Sequence, residues 1–128
     1  MKILGIGVDI VKNKRIQSLI RNRNFIKRTF GNKELKFSKE KINKTNYFAK
    51  RFAAKEAFSK SFGTGIRGNL SFKDIEILND KMGKPFFYKS KKIDQIVKKK
   101  FKIKKYDLLL SLSDEKDHSI AFSILIKK

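Results

Sequence analysis

The sequence predicts an α+β domain of antiparallel strands and hairpins packed on one long and several short helices, a single unit over residues 1–128. Three observations carry this reading. Both ends of the chain alternate at a period of two, the mark of strands. The middle, about Asn43–Phe62, repeats at helical period and stops at Gly63, a natural C-cap. No linker or low-complexity stretch divides the 128 residues, of which 40% are hydrophobic, enough for one core and little more.

The elements follow in order. Lys2–Ile10 sets Leu4, Ile6, Val8 and Ile10 on one face and Ile3, Gly5, Gly7 and Asp9 on the other, which reads as a strand. Its two glycines let another backbone or a ligand approach closely, and they predict open space beside Asp9. Asn13 is the expected cap of a helix that turns Ile16, Leu19 and Ile20 inward and Arg15, Arg21 and Arg23 outward. Phe25–Phe37 reads as one or two short helices broken near Gly31. After the long helix and a loop at Gly63–Ser71, Phe72–Leu78 and Pro85–Lys89 form a hairpin around turn residues Asn79–Lys84. Lys91–Lys102 is a helix. A closing hairpin pairs Tyr106–Ser113, apolar at Tyr106, Leu108, Leu110 and Leu112, with Ser119–Ile126, apolar at Ile120, Phe122, Ile124 and Ile126.

Composition excludes several classes. With no cysteine, disulfide frameworks, thiolate metal sites and cysteine catalysis are ruled out. No apolar run approaches the roughly 18 residues of a membrane helix. Met1–Val11 is interrupted by Gly5, Gly7 and Asp9 and does not read as a signal peptide, so a cytoplasmic protein is expected. The 33 Lys+Arg against 12 Asp+Glu give a net charge of +21. Such a field speeds encounter with nucleic acid, an acidic protein or a phosphorylated ligand. Charge alone does not choose among them. Twenty-seven of the basic residues are lysine, a residue that A- and T-rich coding favours. The densest block, Lys89–Lys105, also carries Ile93, Ile96, Val97 and Phe101 at helical spacing, so it reads as the solvated face of an amphipathic helix.

The long helix holds the chemically telling residue. At about 100° per residue, Phe52 falls about 40° to one side of Glu56, and Ala49 and Ala53 about 20° and 60° to the other. Glu56 thus lies within the apolar arc, with Lys60 one turn on. Four of the five alanines fall within Ala49–Ala57, so whatever packs there needs small side chains. A carboxylate so placed must be paired, protonated or bound to a cation. One reading is a structural Glu56–Lys60 pair at i,i+4. The other is a metal-binding carboxylate beside a phosphate-binding lysine, with Asp9 as second ligand. Two carboxylates suit Mg²⁺, which takes the rest of its shell from water and substrate phosphates.

Two other signals carry less. Gly63-Thr64-Gly65-Ile66-Arg67-Gly68 matches G-x-G-x-x-G, but a helix precedes it and a strand follows, the reverse of the dinucleotide fingerprint. His118, the sole histidine, has no partners for a triad or a zinc site and reads as a turn residue.

Gly5-Ile6-Gly7-Val8-Asp9-Ile10-Val11, followed by Arg15-Ile16, resembles the opening of the holo-acyl-carrier-protein synthases. Lys50-Arg51-Phe52-Ala53-Ala54-Lys55-Glu56-Ala57-Phe58-Ser59-Lys60, continuing through Phe62-Gly63-Thr64-Gly65-Ile66, is similar to that family's central signature. Gly83-Lys84-Pro85 and the Ser-rich closing hairpin keep the same order. The resemblance implies the 4′-phosphopantetheinyl transferase fold. It also implies a homotrimer with active sites between subunits, which moves 4′-phosphopantetheine from coenzyme A to a serine of acyl carrier protein for fatty acid biosynthesis, releasing adenosine 3′,5′-bisphosphate. Carried over by motif, Asp9 and Glu56 would hold Mg²⁺ with the coenzyme pyrophosphate. Glu56 and Lys60 would be the catalytic pair, Lys60 contacting the phosphates. Arg51 would serve the nucleotide end, and Gly63 and Gly65 would lie along the cofactor. Arg15, Arg21 and Arg23 would meet the acidic carrier. The serine proton needs an acceptor, for which Glu56, a metal-bound water and a substrate phosphate all qualify. Where many members have histidine, this chain has Asp114, a poor ligand for a nucleotide phosphate. The rival class is a basic nucleic-acid-binding domain without catalytic activity; it lacks a recognisable motif.

Overall fold

The computed structural model describes residues 1–63 and 70–128; Gly65, and most of the loop expected at Gly63–Ser71, lie outside them. Element order is β1 (Lys2–Lys12), α1 (Asn13–Leu19), α2 (Arg23–Thr29), α3 (Asn32–Ser38), α4 (Lys44–Phe62), β2 (Ile77–Asn79), β3 (Pro85–Phe87), α5 (Lys91–Phe101), β4 (Tyr106–Asp114) and β5 (His118–Lys127). An antiparallel sheet runs β1-β5-β4, and β2 and β3 form a separate two-stranded ribbon. This is the expected α+β architecture.

Helix α4 is the spine. Asn43 caps its start, accepting from the Asn46 backbone N–H at 3.0 Å. Gly63 ends it at φ 98°, the left-handed region that glycine enters at no steric cost. The helix packs along β1 and β5 and is buried on nearly every side, Arg51 and Lys55 included. A helix in this position cannot keep the charged face that a surface helix would have.

Close contact between α4 and the sheet depends on small residues. A β-carbon on Gly7 would stand 1.9 Å from the Ala57 carbonyl oxygen, and one on Gly5 would stand 1.8 Å from that of Ser61. Opposite them, Ser119, Ala121 and Ser123 of β5 are fully buried. Helix backbone therefore fills the space expected to be open beside Asp9. The same contact puts the small-residue faces of β1 and β5 inside the protein, because α4 covers them.

The larger apolar side chains point the other way. Ile6, Val8 and Ile10 of β1 and Ile120 and Phe122 of β5 are between 39% and 59% exposed, aligned as Val8 opposite Phe122 and Ile10 opposite Ile120. On β4 the alternation runs as expected, with Tyr106 and Leu108 buried. Helix α5 also matches, burying Ile93 and Val97 beneath its lysines.

Three local expectations fail for identifiable reasons. Phe72–Leu78 is not one strand: Asp74 Oδ2 accepts from the Ser71 backbone N–H and hydroxyl at 2.9 and 3.0 Å. That bonding winds Phe72–Asp74 into a 3₁₀ turn and leaves only Ile77–Asn79 extended. Asn13 does not cap α1; it is buried, donates to the carbonyls of Glu115 and Lys116, and accepts from the Ser119 hydroxyl. It ties α1 to the β4–β5 turn, where His118 pairs with Glu115 at 3.0 Å. Arg21 and Arg23 leave the first helix, which ends at Leu19; Arg21 is in the turn and Arg23 opens α2.

Candidate active site

Asp9 reaches the site because β1 alternates: with Gly5 and Gly7 facing α4, Asp9 continues that face to the point where the helix still lies alongside. Glu56 and Lys60 come from α4 one turn apart. The i,i+4 pair between them, one of the two readings of Glu56, does not form. Instead the Lys60 ammonium donates to Asp9 Oδ1 at 3.2 Å and to the Val8 carbonyl at 2.9 Å.

Glu56 is half-buried and, among the described residues, makes no hydrogen bond and no ion pair. Burial, and then the negative charge of Asp9, pushes its carboxyl above the ordinary glutamate range; Lys60 and Arg15 pull the other way. Two carboxylates that feel each other stand here with the Lys60 ammonium bonded to only one of them, Asp9, and Arg15 acting on Glu56 without a direct bond. Among the described residues no group of three or more histidine, aspartate or glutamate side chains is assembled for a metal. Two carboxylates are the kind of donor set that a hard divalent cation uses when it leaves its remaining positions to water and phosphate.

Arg15 stands beside this pair, its guanidinium 5.6 Å from the centre of the Phe52 ring. Arg21 and Arg23 are exposed, in the turn after α1 and at the start of α2. Gly63 caps α4 at the far end of the Lys60 turn.

Arg51 is not brought to the carboxylates. It lies five residues before Glu56, about 140° around the helix. It stacks on Tyr47 with 3.8 Å from guanidinium to ring centre, and it donates to the Tyr47 carbonyl and to Asn79 Oδ1. Arg51, Asn79, Lys41, Asn46, Lys50 and Asp114 line a separate open cleft of about 320 Å³. Asp114 is tied down there, accepting from Asn46 Nδ2 at 2.7 Å and lying 3.6 Å from Lys50. It takes up positive charge that an incoming phosphate would otherwise meet.

Sequence reasoning missed one charged pair. Lys55 and Glu34 are both fully buried and 2.6 Å apart. Lys55 also donates to the carbonyls of Phe72 and Ile75, while Glu34 accepts from the backbone N–H groups of Gly31 and Ile77. Burial drives the Lys55 pKa down and the Glu34 pKa up, each opposed by its partner's charge. The signal was present: on the helical wheel Lys55 lies within about 20° of Phe48 and Phe62.

The chain belongs to the 4′-phosphopantetheinyl transferase superfamily, whose model matches residues 5–123. Within that class its relatives are the holo-[acyl-carrier-protein] synthases. It is 58% identical over 128 residues to the one from Pelagibacter ubique (strain HTCC1062), covering all of both chains. Among solved structures it resembles the holo-[acyl-carrier-protein] synthase of Neisseria meningitidis, at 42% identity and a TM-score of 0.87, covering 98% of this chain and 99% of that one. It also resembles the Bacillus anthracis enzyme in complex with CoA (3′,5′-ADP), at 34% identity and a TM-score of 0.82, covering 100% of both chains. The protein is thus an enzyme of the phosphopantetheinyl transferase class.

Proposed function

We propose that the protein transfers 4′-phosphopantetheine from coenzyme A to a serine of apo acyl carrier protein. The reaction depends on Mg²⁺, releases adenosine 3′,5′-bisphosphate, serves fatty acid biosynthesis and takes place in the cytoplasm. The single observation that carries the reading is the convergence of Asp9, Glu56 and Lys60 at the β1–α4 contact, in a chain whose relatives are named for this activity. One of those relatives is described in complex with coenzyme A.

In this reaction the serine oxygen gives up its proton, for which the Glu56 carboxylate and a substrate phosphate oxygen qualify as acceptors, and bonds to the phosphorus that carries pantetheine. The bond from that phosphorus to the bridging pyrophosphate oxygen breaks, and the nucleotide bisphosphate leaves with the electron pair. Asp9 and Glu56 would hold the cation, which when bound neutralises charge on the pyrophosphate. Lys60 is placed to stabilise negative charge that develops on the leaving oxygen. Arg15, Arg21 and Arg23 give the neighbouring edge a positive potential suited to an acidic carrier. Arg51 and Gly63 are the residues of this chain assigned to the coenzyme, and Gly65 is assigned with them from sequence alone.

A homotrimer accounts for the apolar outer face of the sheet. Ile6, Val8, Ile10, Ile120 and Phe122 form a contiguous exposed stripe of the kind that marks an association surface. Shared sites also suit the divergence of Arg51 from Glu56, since a coenzyme spanning two subunits can use one residue from each. The deciding experiment is mass spectrometry of apo acyl carrier protein incubated with the protein, coenzyme A and Mg²⁺. A gain of one phosphopantetheine is expected; an unchanged carrier mass would overturn the assignment.

A further inference from the structure

Lys60 occupies an unexpected place for a phosphate ligand. Its ammonium sits on Asp9, one of the two carboxylates a cation would need, and a second bond to the Val8 carbonyl holds it there. The Lys60 side chain is 56% exposed and Asp9 only 16%. The lysine is therefore the mobile partner of the pair, on a flexible four-carbon stem, and its tie to Asp9 is of the weak, solvent-screened kind. Glu56 beside it has no such partner among the described residues. A divalent cation bound at Asp9 would stand within a few ångströms of that ammonium, and its double charge repels the ammonium through the same partly screening water. The two compete for the negative charge of the same carboxylate.

We propose that Lys60 is the built-in counter-ion of the two-carboxylate site: it occupies Asp9 until a divalent cation displaces it, and the freed ammonium then turns to the incoming phosphate. The proposal rests on the metal reading above and adds a competition to it. Without coenzyme, the cation must break the Lys60–Asp9 pair and binds weakly. With coenzyme present, the displaced ammonium gains a new anionic partner. Cation and coenzyme therefore assist each other through Lys60, a reciprocal coupling.

The test measures Mn²⁺ binding by calorimetry on the full chain, apart from any turnover. Without coenzyme A, Lys60→Met is expected to bind Mn²⁺ about threefold to tenfold tighter than the wild type, the scale of one partly exposed ion pair plus the lost repulsion. Adding coenzyme A should strengthen Mn²⁺ binding more in the wild type than in Lys60→Met. Equal or weaker binding by Lys60→Met overturns the proposal. So does an equal gain from Arg15→Gln, which would mean a general field effect rather than displacement. Mn²⁺ binding that survives unchanged in Asp9→Asn overturns the metal reading itself, a distinct failure. A measurement on the wild type avoids reliance on a stable variant: titration with Mg²⁺ should shift the Lys60 side-chain NMR resonances, and their constancy through saturation would sink the displacement.

Discussion

Gly7 of β1 lies directly under the Ala57 carbonyl of α4, so close that a single added methyl would come within 1.9 Å of the oxygen. This contact carries Asp9 to the helix that bears Glu56 and Lys60. Gly7→Ala must push strand and helix backbones apart, because no flexible side chain is there to yield. We expect a loss of about 3 kcal/mol in stability and of activity in whatever fraction still folds. Chemical denaturation of the variant checks the first; a stability equal to the wild type would refute the close packing.

Asp9→Asn and Glu56→Gln should each remove most transferase activity, and the double variant should lose little more, because the two carboxylates act as one unit. Full Mg²⁺-dependent transfer by Asp9→Asn would end that assignment.

Stability should move differently from activity at Glu56. Its carboxyl pKa is raised in the folded state, first by burial and then by Asp9. The folded protein therefore binds the proton more tightly than the unfolded chain does. The associated stability is fully present below the ordinary glutamate value near 4.5 and is lost as pH rises through the folded value. At neutral pH, Glu56→Gln should match or exceed the wild type in thermal stability, and it should flatten the fall in stability above pH 4.5. Thermal melts from pH 4 to 8 measure this; a variant less stable than wild type at neutral pH would point to a structural role for Glu56.

Lys55→Met should cost about 3–5 kcal/mol, because it leaves the Glu34 carboxylate buried without its charge partner. Glu34→Gln in the same chain should recover part of that loss, since the amide removes the unpaired charge and keeps one oxygen for one of the two backbone N–H groups, Gly31 on Oε1 and Ile77 on Oε2, that the carboxylate accepts from. A double-mutant cycle in denaturant reports the coupling.

Val8→Glu, with Phe122 opposite it in register, should dissociate the proposed trimer by placing charge in its apolar face. Sedimentation at micromolar concentration should then show monomer. Arg15→Glu is expected to weaken use of the acidic carrier at low salt, with the defect fading as salt screens it. An unaltered assembly in the first case, or unaltered carrier kinetics in the second, would remove the residue from the assigned surface.

The sequence by itself determined the order of elements, the helical spine and both closing strands, and singled out Asp9, Glu56 and Lys60 as candidates, because periodicity, caps and motif spacing are properties of neighbours along the chain. Lys91–Lys102 was readable for the same reason, and the helix ends within one residue of it, at Phe101. Tertiary structure decided everything that depends on which face meets what. The alternation in β1 and β5 fixes two faces but does not say that the glycine and serine face is the inner one; the approach of α4 decides that, since only small residues admit a helix backbone so near. The same approach places Lys60 on Asp9 rather than on Glu56, although the helix offers Glu56 at i,i+4 spacing. Burial of α4 on nearly every side turned Lys55 into half of an internal ion pair with Glu34, 21 positions away in the chain. No local pattern names such a partner: the desolvation that compels the pairing exists only once the core has closed around the charge.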